Sequence, residues 1–226
     1  MENIEIINSD CIGQMKNLNS SGIDCIITDP PYGIDFQSNY RNEKHIKIQN
    51  DDNLEWLPTF LNECYRVLKD NSHFYLFCSF HNLDVFMIEV KKRFQLKNII
   101  VWEKNNTSMG DLKCDYAPKY EFILFITKGK RELNGTRKAN IVKYSRTNNK
   151  YHPTEKPLEL MRFLIRNSTN KNDRVLDPFM GSGTTGVACK ELDRRFLGYE
   201  IERKHFLTTE TRLLNVNRSL NIFTQE

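Results

Sequence analysis

Three short stretches of this chain carry residue types that could do chemistry together. The first is Asp29-Pro30-Pro31-Tyr32-Gly33, directly after the apolar run Ile23 to Thr28. Consecutive prolines lack amide donors and hold the backbone extended, so the carbonyls around them stand free to accept. With a carboxylate before and a phenol after, Asp29, Pro30, Pro31 and Tyr32 make a rigid corner: two acceptors for an amino group beside a flat ring for a planar one. A strand end with a capping Asp and a packed Tyr would have the same sequence. The second stretch is Asp177-Pro178-Phe179-Met180-Gly181-Ser182-Gly183-Thr184-Thr185-Gly186, between the strand-like run Arg174 to Leu176 and a helix expected to begin near Val187. Its glycines match GxGxxG, which permits a tight turn and close approach of a ligand to the backbone. Glu200 closes the next apolar run, 19 residues after Gly181, the place for a carboxylate that accepts from ribose hydroxyls. The phosphate loop GxxxxGK[ST] is absent, so a nucleoside triphosphatase is not supported; by spacing alone NAD fits as well as any adenosine-type ligand. The third stretch, His152-Pro153-Thr154-Glu155-Lys156-Pro157, precedes a helix at Leu158 and reads equally as a Pro-rich helix entry. Asp10, after the run Ile4 to Ile7, reads equally as a turn or cap residue.

The elements that position these residues follow from hydrophobic patterning. Seven β-branched and aromatic runs recur: Ile4 to Ile7, Ile23 to Thr28, His73 to Ser79, Asn98 to Glu103, Tyr120 to Thr127, Arg174 to Asp177 and Phe196 to Glu200. Most are continuously apolar, as in strands covered on both faces, which predicts a mostly parallel sheet. Helical faces lie between them, at Leu57, Phe60, Leu61, Cys64, Tyr65 and Leu68, at Leu83, Met87, Val90 and Phe94, and at Leu160, Phe163 and Leu164. Alternating β and α segments predict an α/β, doubly wound fold of about seven strands in a single domain over 1–226. Both chemical motifs then stand at strand ends, where open α/β sheets bind ligands.

Composition narrows the classes further. The 226 residues carry 33 Lys+Arg against 29 Asp+Glu, a net charge of +4, with 39% hydrophobic residues, as in an ordinary globular chain. The longest apolar run, Phe74 to Phe80, is far short of the ~20 residues that span a bilayer, and no secretion signal opens the chain, so no membrane association is expected. Six cysteines are scattered with no two closer than 14 residues and the histidines lack ligand spacing, which predicts no metal and a reducing, cytoplasmic setting. Two polar stretches break the rhythm, 34–53 and 129–153. From Thr127 to Lys156 there are nine Lys/Arg against two acids, +7 in 30 residues, either a solvated face or one turned toward a polyanion.

Asp-Pro-Pro-Tyr at 29–32, His-Pro-Thr-Glu-Lys-Pro at 152–157 and Asp-Pro-Phe-Met-Gly-Ser-Gly-Thr-Thr-Gly at 177–186, in that order, resemble the β-group of DNA amino-methyltransferases. That resemblance displaces NAD and implies S-adenosylmethionine as cofactor and DNA, double-stranded, as substrate. It implies that Asp29 and the Pro30 carbonyl hold the target amine while Tyr32 stacks on a flipped base. Asp177, Phe179, Gly181, Gly183 and Thr184 would line the cofactor, with Glu200 on its ribose, Asp10 near its adenine, and Thr154 and Lys156 at its methionine end. The Asp form of the tetrapeptide resembles adenine-N6 members more than cytosine-N4 members, which usually begin with Ser. Cytosine-N4 methylation, RNA base methylation and a non-catalytic DNA-binding module stay as alternatives. The resemblance also implies a reversed edge strand, supplied by Tyr120 to Thr127, and a recognition segment over 104–151, with 34–53 as a loop on the catalytic side. DNA contacts are expected at Tyr40, Arg41, Lys44, Lys138, Lys143 and Arg146. The group includes homodimers, solitary enzymes and partners of a restriction endonuclease.

Overall fold

In the computed structural model, which describes residues 3–32, 53–107, 113–147, 151 and 154–223, all seven apolar runs form strands. They are β1 (Ile4–Asn8), β2 (Ile23–Thr28), β3 (Leu68–Cys78), β4 (Gln95–Glu103), β5 (Tyr120–Lys128), β7 (Arg174–Asp177) and β8 (Arg195–Glu200). An eighth, β6 (Ile141–Lys143), arises in the basic stretch read from sequence as turn-rich. Its three residues are too few to show a period, and it is held by pairing alongside β4 from Val101 to Glu103. The helices are α1 (Cys11–Met15), α2 (Leu57–Val67), α3 (Leu83–Lys91), α4 (Leu158–Ser168), α5 (Thr184–Glu191) and α6 (Arg203–Phe223).

The sheet order is β1-β8-β7-β2-β3-β5-β4-β6. Only β5 runs against its neighbours, antiparallel to both β3 and β4. It is therefore the reversed strand that was expected, but it lies inside the sheet rather than at its edge, because β4 and β6 extend the sheet beyond it. Side chains alternate between two cores. On β3, Phe74, Leu76 and Cys78 join α2 and α3 on one face, while Tyr75 and Phe77 join α4 and α5 on the other. Burial on both faces explains the continuously apolar runs.

This order places the chemical motifs side by side. β2 pairs with β7, Cys25 opposite Val175 and Ile26 opposite Leu176, so the Asp29 corner and the glycine loop leave adjacent strands at the same edge. β5, being reversed, begins at that edge instead of ending there.

Candidate active site

Two buried side chains weld the adjacent strand ends together. Asp177 accepts from Thr28 Oγ1 at 2.9 Å, from Thr185 Oγ1 at 2.6 Å and from the Phe179 amide at 3.2 Å. Burial pushes its carboxyl up to about 6, against those hydrogen bonds. With its oxygens so engaged, Asp177 ties the corner strand to the glycine loop.

The glycine loop is closed by bonds of its own. The Gly181 amide donates to Glu200 Oε2 at 2.9 Å and the Gly183 amide to the Met180 carbonyl at 2.7 Å. Gly183 has φ +77°, and a Cβ there would overlap the Thr209 side chain of α6; only glycine meets both conditions. Helix α5 starts at Thr184, three residues before the expected start, directly after this left-handed turn. The amides of Gly181 and Gly183 are thus not aimed outward as a phosphate nest, which disfavours a dinucleotide. Glu200 also accepts from the Glu202 amide through Oε1 at 2.8 Å, leaving one lone pair on each oxygen for a vicinal diol. Burial pushes its carboxyl up to about 7. The Phe179 ring, partly buried, packs on Trp56 and Phe60 at centroid distances of 5.6 and 5.3 Å.

At the corner, the Asp29 carboxylate accepts from the Tyr32 hydroxyl through Oδ1 and from Lys156 Nζ through Oδ2. Asn82 Nδ2 donates to the Tyr32 carbonyl at 2.5 Å, fixing the turn. Burial pushes the Asp29 carboxyl above the usual carboxylate range, opposed by the Lys156 ammonium. Burial, with Asp29 beside it, holds the Tyr32 phenol well above its ordinary value. Lys156 also faces Glu121 Oε2 at 3.2 Å, and Glu121 Oε1 meets Lys104 at 2.7 Å. One cleft runs from Asp29 past Thr154 and Lys156 to Phe179, Gly181 and Thr184.

The sequence-predicted residues divide accordingly. Asp29, Thr154, Lys156, Phe179, Gly181 and Thr184 line one cleft, and Glu200 is bonded to its loop. Lys156 reaches Asp29, whereas the resemblance set it at the cofactor's methionine end. Asp10 caps α1, accepting from the Gly13 amide at 2.7 Å. Tyr40, Arg41 and Lys44, with His152, Pro153 and most of the 34–53 loop, lie outside the described residues. Within the basic stretch, Lys128, Arg131, Lys143 and Lys156 are paired with Asp70, Asp173, Glu103 and Asp29, so four of its cations among the described residues face acids from elsewhere. Lys143 ends β6 and Arg146 follows it, toward the Asp29 edge. Lys138 precedes β6 in a recess it shares with Asn98, toward the opposite end of β4.

Three site residues escaped sequence reading. Lys104 directly follows β4 and Glu121 is the second residue of β5, where the visible signal is a lone acid at the start of an otherwise apolar run. Arg212 of α6 donates to the Ser182 carbonyl at 2.7 Å and Thr184 Oγ1 at 3.1 Å, and pairs with Glu155 at 3.2 Å. It joins the glycine loop to the segment before α4, and no local pattern announces it.

Comparison with known proteins gives the chain its family. A family profile described as DNA methylase matches residues 23–211. The type II methyltransferase M.HpaI of Haemophilus parainfluenzae is 32% identical, over 92% of this chain and 73% of its own. The DNA adenine methyltransferase YhdJ of Escherichia coli is 29% identical, over 88% and 79%. The crystal structure of the M1.HpyAVI–SAM complex superposes with a TM-score of 0.72 at 33% identity, covering 93% of this chain and all of that one. The chain belongs to the N6/N4 DNA methylase family.

Proposed function

We propose that this DNA methylase transfers a methyl group from S-adenosylmethionine to the exocyclic N6 of adenine in double-stranded DNA. The observation that carries the reading is the single cleft joining Asp29 to the glycine loop. The residues present suit the cofactor: a diol acceptor at Glu200, an aromatic edge at Phe179, and a glycine loop without outward Gly181 and Gly183 amides. When bound, S-adenosylmethionine supplies an electrophilic methyl on a sulfonium, and Phe179, Gly181, Gly183, Thr184 and Glu200 would hold it.

The chain's own work is positioning. An exocyclic amine is a poor nucleophile because its lone pair is delocalised into the ring. Asp29 and the Pro30 carbonyl would accept its two hydrogens, which favours a pyramidal nitrogen and frees its lone pair to take up the methyl group. Asp29 Oδ1 is held by the Tyr32 hydroxyl in the free protein, so this phenol must let go as the ring turns to stack on the base. Base extrusion costs a few kcal/mol and stacking returns about 1–3 kcal/mol. On taking up the methyl group the amine would lose one proton, and the Asp29 carboxylate that holds it would be in place to accept that proton.

Lys143 and Arg146, at the Asp29 edge of the sheet, are assigned to the DNA backbone together with Tyr40, Arg41 and Lys44. Lys138 is not, since it stands toward the other end of β4. YhdJ, named a DNA adenine methyltransferase, and the Asp of the tetrapeptide favour adenine over cytosine. M.HpaI, named a type II methyltransferase, supports a place beside a restriction endonuclease. Among the described residues no helix is long and apolar enough to cross a membrane, consistent with work on cytoplasmic DNA. The test is transfer of labelled methyl to unmodified genomic DNA, followed by nucleoside analysis. N6-methyladenine is expected; N4-methylcytosine would overturn the base assignment, and an unlabelled product the whole reading.

A further inference from the structure

We propose that Glu121, backed by Lys104, is a positioning residue that sets the acceptor strength of Asp29 through Lys156. The inference rests on Asp29 being the amine acceptor. Four charges alternate in a chain of contacts that begins at the cleft: Asp29, Lys156, Glu121, Lys104. Lys156 Nζ stands between Asp29 Oδ2 and Glu121 Oε2, the latter at 3.2 Å, and Lys104 Nζ closes the series at 2.7 Å from Glu121 Oε1. Their side chains are 20%, 8%, 22% and 10% exposed in that order, so each charge is felt by its neighbours far more than in water.

A lone Lys156 would suffice to neutralise Asp29. Committed wholly to that carboxylate, however, it would occupy the acceptor that the target amine needs. Glu121 draws part of the ammonium away and so leaves Asp29 capacity to accept. Lys104 in turn limits how far Glu121 can draw it. Burial alone would lift Glu121, and Lys156 with Lys104 outweigh it and hold the carboxyl below its ordinary value. Burial alone would lower Lys156, and the two carboxylates outweigh it. The topology makes this series: β4 ends and β5 begins at the Asp29 edge, so Lys104 and Glu121 come from strands of opposite direction. The other titratable groups facing the corner are Tyr32 on its own loop, Cys78 at the end of β3 and Asp177 at the end of β7.

Alternation gives the test its sign. Single-turnover methyl transfer to adenine in genomic DNA is followed against pH for the full chain and its variants. Glu121→Gln removes a repulsive charge, and the acid limb of the profile moves to lower pH by about one unit. Lys104→Met lets Glu121 pull Lys156 from Asp29, and the limb moves to higher pH. Glu121→Asp and Lys104→Arg bring it back toward wild type. Affinity for S-adenosylhomocysteine, read by calorimetry, is unchanged in all four. Limbs that stay in place, or move the same way in both neutralised variants, overturn the proposal. Should Glu121→Gln not fold, the Lys104 pair decides alone, and an unmoved limb there overturns it. A wild-type chain that methylates no adenine refutes the functional reading instead; an active wild type with unmoved limbs refutes only this inference.

Discussion

Glu200 should make cofactor affinity depend on pH across the neutral range. Its carboxyl stands at about 7 because burial penalises the anion, against which the Gly181 and Glu202 amides only partly compensate. Ribose hydroxyls donate to the anion, so binding on the proposed reading selects the ionised form. With a pKa near 7, roughly one molecule in eleven is ionised at pH 6 and about ten in eleven at pH 8. Apparent affinity scales with the competent fraction, so the dissociation constant should fall about tenfold between those values. Binding at pH 6 should also release close to one proton. Calorimetry with S-adenosylhomocysteine, in two buffers of different ionisation heat, measures both quantities. Glu200→Gln supplies the reference, because the ligand's amino group and Asp177 titrate in either protein. The sign for the free fold is opposite. A carboxyl raised on folding contributes its full stability below its ordinary value of 4.5, and that contribution falls as pH rises toward 7. A pH slope for binding that is absent, or that survives unchanged in Glu200→Gln, would refute the assignment of Glu200 to the ribose.

Three further outcomes follow from the same geometry. Asp29→Ala should keep S-adenosylhomocysteine affinity yet lose methyl transfer by at least the ~10²-fold typical of an oriented polar group; calorimetry beside a tritiated-methyl assay checks both halves. Neutralising Lys143 and Arg146 together should reduce the slope of log affinity for duplex DNA against log salt by up to about 0.9 per lost phosphate contact, whereas Lys138→Ala should leave it, as a filter-binding titration would show. Gly183→Ala should destabilise the fold by roughly 1–2 kcal/mol from its left-handed φ alone, and more from overlap with Thr209; thermal melts of Gly183→Ala, Thr209→Ala and the double variant should show the pair costing less than the sum.

Much of the architecture was legible because each signal was local. Continuous apolar runs such as Ile23 to Thr28 and Arg174 to Asp177 mark strands covered on both faces, and the Asp29 and Asp177 motifs are contiguous in the chain. What escaped was set by pairing at a distance. β6 is three residues long and exists through its contact with β4. Lys138 and Lys143 look alike in sequence, but Lys138 precedes that short strand and Lys143 ends it, so they stand toward opposite ends of β4. The charge excess between Thr127 and Lys156 suggested a polyanion-facing surface, yet Asp70, Asp173, Glu103 and Asp29 take up much of it from remote segments.

The reversed strand shows most clearly why direction matters as well as pattern. Periodicity identifies Tyr120 to Thr127 as a strand but is blind to which way it runs. In a parallel sheet, functional side chains are sought after strand ends, a rule that finds Asp29, Asp177 and Glu200. β5 obeys the mirror rule, since its antiparallel pairing with β3 sets Phe122 against Cys78 and so brings its first residues to the ligand edge. Glu121 therefore belongs to the same edge as Asp29 although it opens its strand rather than following it. In this chain the acid facing the Asp29 corner through Lys156 therefore stands at the start of the reversed strand and not after a parallel one.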